Sequence, residues 1–211
     1  MKRMPTRQEK QARTRASLLS AAEQLFCRKG LDGASIDEVT AEAGYTKGAF
    51  YANFKSKEEL FLVMLDEKCA AEMERLDATL AGTGEPTEEA RQAATDFIQS
   101  MTRASEWGKL YFEFVAYAAR NEEFRQELVT RHRALRERMA EILRRWSSAF
   151  ADEFPIPVEQ LAAMTDFMTD GFLLDKLVDP ELDDELLSTM ILIFLKGLQA
   201  TAAGWQAETA V

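Results

Sequence analysis

Within a span of thirteen residues the chain sets out Tyr45, Thr46, Lys47, Gly48, Tyr51, Asn53 and Lys57. These are groups suited to nucleic acid. A Lys ammonium can read guanine O6 and N7, and Tyr45 and Thr46 can touch bases or a thymine methyl. Tyr51, Asn53 and Lys57 suit phosphate oxygens, which position a protein without specifying sequence. Gly48 either lets backbone approach the duplex closely or answers a packing need. Elsewhere the residues for catalysis are sparse. His132 is the only histidine, set among Arg131, Arg133 and Arg136, and reads as surface or as a ligand contact. Cys27 and Cys69 lack CxxC spacing and read as reduced thiols. There is no G-x-S-x-G, H-E-x-x-H or phosphate-cradling glycine loop. No metal or cofactor is expected, and the chain does not read as an enzyme.

The elements that hold those groups are short. Ser35 and Glu38 form a capping-box pattern, in which hydroxyl and carboxylate each take an orphan backbone N–H. Ile36, Val39 and Ala43 follow at helical spacing. Gly44 suits a left-handed helix end, and Thr46 can cap the next helix, Lys47 to about Asn53. Phe50 and Phe54 fall on its other side, toward a small core. Ser56 and Glu59 repeat the box and open a long helix. Two helices joined by a tight turn with glycine make a helix-turn-helix, whose second helix enters the major groove.

The string G-Y-T-K-G-A-F-Y-A-N-F-K-S-K-E-E-L resembles the signature of the TetR family of transcriptional regulators. The matching positions are Ala43, Gly44, Tyr45, Thr46, Gly48, Tyr51, Phe54, Lys57, Glu58, Glu59 and Leu60. Two depart from it: Asn53 stands where His is usual, and Thr40 where Ala is usual. Asn still donates to phosphate, and the Thr40 hydroxyl touches only local packing. The resemblance covers roughly residues 14–65. It implies a two-fold dimer through a four-helix bundle of the last two helices, palindromic operators, and repression more often than activation.

Charge divides the chain the same way. Residues 1–57 hold 11 Lys/Arg against 6 Asp/Glu, and residues 58–211 hold 15 against 30, within a net charge of −10. A basic head on an acidic body suits a protein that meets nucleic acid at one end. No apolar h-region follows the basic start, and Met190–Leu195 is far too short to span a bilayer. A cytoplasmic protein without a membrane partner is expected.

Read in order, residues 1–13 suggest a basic tail, with Lys2, Arg3, Arg7, Lys10, Arg13 and Arg15 available to phosphates. Helices are predicted over Thr14–Lys29 (stopped by Gly30), over Lys57 to about Leu80, and from a Thr87 cap to about Arg103. Others follow over Glu106–Arg120, Glu122 to about Ala149, Val158–Val178 and Asp183 to about Ala203. The fold class is all-α with about nine helices. Residues 1–57 form a three-helix DNA-binding domain with a basic arm, and residues 58–211 a helical ligand-binding and dimerisation domain. In the run W-G-K-L-Y-F-E-F-V-A-Y-A-A almost no polar face remains, which predicts burial all round.

Met64, Met101, Trp107, Phe112, Tyr117, Met139, Phe167 and Met168 read either as core or as the lining of an adaptable apolar pocket. Glu113, alone in its apolar run, lies either at an exposed edge or in a cavity that favours a cationic ligand. Gly197, Ala200, Thr201 and Gly204 make a small-residue stripe, and Gly171 sits mid-helix. Both suit close helix approach, within one chain or in a homodimer. The function these features predict is a DNA-binding repressor released from a palindromic operator by a small apolar or amphipathic effector. The alternative is a DNA-binding regulator controlled by a protein partner or by no small molecule.

Overall fold

The computed structural model describes residues 6–82, 84–103, 105–147 and 155–209, apart from the side chains of 86, 101–103, 105, 147 and 202–209. Nine α-helices and no strand occur among the described residues. They are α1 (Arg7–Gly33), α2 (Ile36–Ala43), α3 (Lys47–Tyr51), α4 (Lys57–Leu80), α5 (Pro86–Arg103), α6 (Ser105–Ala118), α7 (Glu122–Ser147), α8 (Val158–Val178) and α9 (Glu185–Thr209). Among the described residues no helix is long and apolar enough to cross a membrane.

Several helix ends differ from the sequence expectation, each for a local reason. The basic segment is helical from Arg7, because Thr6 and Glu9 close a capping box of their own. Thr6 Oγ1 accepts from Glu9 N at 3.2 Å, and Glu9 Oε2 accepts from Thr6 N at 2.6 Å. Its Arg, Lys and Gln residues are good helix formers, so polarity alone does not make a tail. Lys2 and Arg3 lie outside the described residues. Gly30 does break α1, with φ 72° and ψ 174°, a region open almost to glycine alone. Beyond it Leu31 and Ala34, which fall outside the helices predicted from sequence, are buried. At α5 the cap is Glu85 rather than Thr87: its carboxylate accepts from Glu88 N at 3.1 Å, and Pro86 takes the first helical position. At α4 only half the expected box forms. Ser56 Oγ accepts from Glu59 N, while the Glu59 carboxylate takes Lys55 N–H.

The chain forms two compact units, one of Met1–Lys68 with Lys109–Leu128, the other of Cys69–Gly108 with Val129–Val211. Compactness therefore groups part of α6 and the start of α7 with the N-terminal helices, which a single cut at residue 57 does not. In the first unit Leu18, Phe26, Phe50, Phe54, Leu60, Phe61 and Phe114 are buried. Each large apolar side chain removed from water contributes about 1.5–3 kcal/mol. Phe61 and Phe114 stack face to face, and Phe124 tilts against Phe114. In the second unit Met73, Ile142, Trp146, Leu161, Ala162 and Leu195 form one cluster, and Ile98, Phe172 and Leu187 another. α6 is not buried all round. Trp107, Leu110, Phe114 and Ala118 form one buried stripe, while Lys109, Glu113 and Ala116 are exposed.

Candidate nucleic-acid interface

The turn between α2 and α3 is built as its residue types dictate. Ser35 Oγ accepts from Glu38 N at 3.2 Å, and Glu38 Oε2 accepts from Ser35 N at 3.0 Å. The Glu38 carboxyl is lowered to about 2, first by the Lys29 ammonium and then by donation from Ser35 N–H and from the Ser35 hydroxyl. Gly44 ends α2 in the left-handed conformation (φ 72°, ψ 30°), and Tyr45 N then donates to Thr40 O at 2.8 Å. Thr46 caps α3, its Oγ1 accepting from Ala49 N at 3.3 Å.

This turn presents Thr46, Lys47, Gly48 and Tyr51 to solvent on one short segment. Lys47 Nζ pairs with Asp37 Oδ1 at 2.7 Å, both side chains mostly exposed. Such a surface pair is worth about 0–1 kcal/mol and yields readily to a stronger acceptor. A Cβ on Gly48 would meet only Thr46 Oγ1 at 3.7 Å, an ordinary contact. Packing within the chain therefore does not demand glycine there. Tyr51 is 58% exposed, with its ring edge against buried Phe50. Tyr45 is half-buried, and hydrogen bonds with Thr14, Ser17 and Arg13 of α1 hold its phenol below the usual range.

Three of the basic or amide groups have hydrogen-bond partners within the chain. Asn53 Nδ2 donates one N–H to Ala49 O at 2.8 Å. Arg15 lies over the Phe54 ring at 4.6 Å and donates to Asn53 O at 3.3 Å. It pins the end of α3 rather than lying along a tail. Lys57 Nζ donates to Leu31 O at 2.8 Å and Ala34 O at 3.5 Å. Its ammonium thus satisfies carbonyls at the α1–α2 corner.

The residues expected to line a pocket are divided between the two units. Met64, Phe112, Glu113 and Tyr117 belong to the first unit, and Trp107, Met139, Phe167 and Met168 to the second. The side chain of Met101 lies outside the described residues. Met64 and Trp107 are buried, Met139 and Met168 pack against the two clusters of the second unit, and Phe167 is 59% exposed beneath the Arg136 guanidinium. Glu113 is exposed, and its Oε1 accepts Leu31 N–H at 2.9 Å. His132 is half-buried near Asp166 and Arg136, not fully on the surface. Cys27 and Cys69 are both half-buried and are not joined in a disulfide.

Two family models match the chain. That of bacterial regulatory proteins of the tetR family matches residues 18–64, and that of the C-terminal part of BetI-type transcriptional repressors matches residues 86–200. An uncharacterized HTH-type transcriptional regulator, YfiR of Bacillus subtilis, is 28% identical over 80% of this chain and 82% of its own. The fold is shared with the fatty acid degradation regulator FadR from Bacillus halodurans (15% identity, TM-score 0.72, covering 92% of this chain and 96% of that one). It is shared also with the transcriptional regulator FadR from Bacillus subtilis in complex with stearoyl-CoA (17% identity, TM-score 0.70, covering 85% and 96%).

Proposed function

This chain belongs to the TetR family of DNA-binding transcriptional regulators, and we propose that it is a homodimeric repressor released from a palindromic operator by a small apolar or amphipathic effector. The observation that carries the DNA reading is the exposed run Thr46-Lys47-Gly48 with Tyr51, held on a rigid, doubly capped turn. In this reading residues 1–57 meet the duplex and residues 58–211 carry the effector and dimer surfaces. Lys47 reads base edges from the first turn of α3, and Tyr51 and one Asn53 N–H reach phosphates.

Dimerisation through α8 and α9 is supported by what those helices leave uncovered. Met164, Phe167, Leu174 and Val178 on α8, and Leu186, Met190 and Ile193 on α9, are large apolar side chains facing solvent. Each set recurs at spacings of three, four and seven, one helix face. A Cβ on Gly171 or Gly197 would meet nothing within 4 Å in the chain, so intrachain packing does not explain either glycine. A two-fold dimer presents two α3 helices to successive turns of DNA, which makes a palindromic site the natural target. An amphipathic effector is supported by the stearoyl-CoA held by one structural neighbour. It acts only through its differential affinity for the DNA-competent and incompetent states.

Selection of bound duplexes from a random pool tests this reading. A palindromic consensus is expected, with affinity that falls steeply with salt. Lys47→Ala is expected to weaken binding to that consensus far more than to unrelated DNA. Equal loss on both would make Lys47 a phosphate contact, and no enriched site would count against sequence reading by α3.

A further inference from the structure

The buried Leu31 peptide is held from both sides. Its N–H donates to Glu113 Oε1 at 2.9 Å, and its C=O accepts from Lys57 Nζ at 2.8 Å. Three segments distant in sequence thus meet at the break in α1: the corner itself, the first residue of α4 and the middle of α6. The same corner leads straight into Ser35 and α2, whose far end carries the reading turn. Backbone groups at a helix break have no helical partner, so whatever satisfies them fixes where the chain goes next. A cation at a helix N-terminus opposes the macrodipole. The bond from Lys57 to two carbonyls gives a reason for its presence there.

We propose that Glu113 is a positioning residue for DNA reading: its carboxylate, bonded to Leu31 N–H, sets the α1–α2 corner and through it the aim of α2 and α3. This rests on the DNA-binding reading above. Glu113 is suited to the task because its own side chain is exposed while its neighbours Leu110 and Phe114 anchor α6 in the core. Removing the carboxylate releases the corner without hollowing the core. Gly30 belongs to the same device. A Cβ there would lie 2.6 Å from Glu113 Oε1, so any side chain displaces the carboxylate as well as straining the backbone.

The probe is the duplex enriched by the unaltered protein. Glu113→Ala is expected to lower affinity for it about tenfold, the scale of one lost charge-assisted hydrogen bond. The comparison is made where circular dichroism shows both proteins folded. The Leu31 amide should exchange with solvent faster by a similar factor. Glu113→Gln keeps an acceptor oxygen and should restore affinity and protection together. Unchanged affinity in folded Glu113→Ala, or failure of Glu113→Gln to restore it, overturns the proposal. If Glu113→Ala melts below the assay temperature, Glu113→Asp, shorter by one methylene, takes its place with the same expected losses. If the unaltered protein enriches no duplex, the DNA-binding reading fails on its own. Leu31 exchange then decides the clamp: faster exchange in Glu113→Ala supports it, and unchanged exchange overturns it.

Discussion

Gly48 and Tyr51 are one turn apart on α3, and the structure separates what each does for the fold from what it offers a ligand. A Cβ on Gly48 would make only an ordinary contact, and its backbone is helical. Alanine is favoured over glycine in a helix by about 0.5–1 kcal/mol. Gly48→Ala is therefore expected to raise the melting temperature slightly while weakening duplex binding, read by thermal melts beside fluorescence anisotropy. A loss of stability would mean that the glycine answers a packing need after all. Tyr51 packs edge-to-face with Phe50 yet is itself mostly exposed. Tyr51→Phe keeps the ring and removes the donor, so specific and nonspecific binding should fall together by about threefold to tenfold. Equal affinity at two salt concentrations would remove Tyr51 from the phosphate contacts.

Between elements, α7 and α8 meet through an ion pair. Arg136 Nε bonds Asp166 Oδ2 at 2.7 Å, and Asp170 sits one turn further along α8. Burial first, then the Asp166 charge, pushes the Asp170 carboxyl up to about 6, with Arg136 pulling the other way. Burial likewise lowers His132, which favours its neutral form. A carboxyl raised in the fold stabilises it fully below its unfolded value near 4, and that contribution is lost as pH rises through about 6. Asp170→Asn keeps the neutral shape at every pH. It should melt higher than the unaltered protein at pH 7, and the difference should close toward pH 4. The unaltered His132 is common to both proteins and cancels in the comparison. A gap independent of pH would assign the effect to packing instead.

For the whole molecule, the proposed dimer would link the apolar faces of α8 and α9 to the reading turn by symmetry. One α3 helix covers too little of the groove to specify a site, and a dimer doubles the contact at fixed spacing. Ile193 is 68% exposed in the chain and lies on the uncovered face of α9. Ile193→Glu places a charge in the proposed interface without touching the core. It should sediment as a monomer with helical content intact and lose most of its affinity for a palindromic duplex. A dimer that survives the change would place the interface elsewhere.

Short-range pattern determined the local architecture. Capping pairs, a glycine in a left-handed turn and apolar residues at helical spacing act within four or five residues, so sequence alone located the reading turn and, among the described residues, the bounds of most helices closely, those of α1 and the end of α9 apart. Even the missed start of α1 was written in the Thr6–Glu9 box. The exposed ends of Lys47 and Tyr51 were legible for the same reason. Partners chosen by tertiary structure were not. Lys57 had the same cationic end as Lys47, and Glu113 was a carboxylate without a visible mate. Only folding brought both to the Leu31 peptide, 26 and 82 residues away. A long charged side chain serves whatever unsatisfied group the fold places beside it, and sequence spacing carries no record of that meeting.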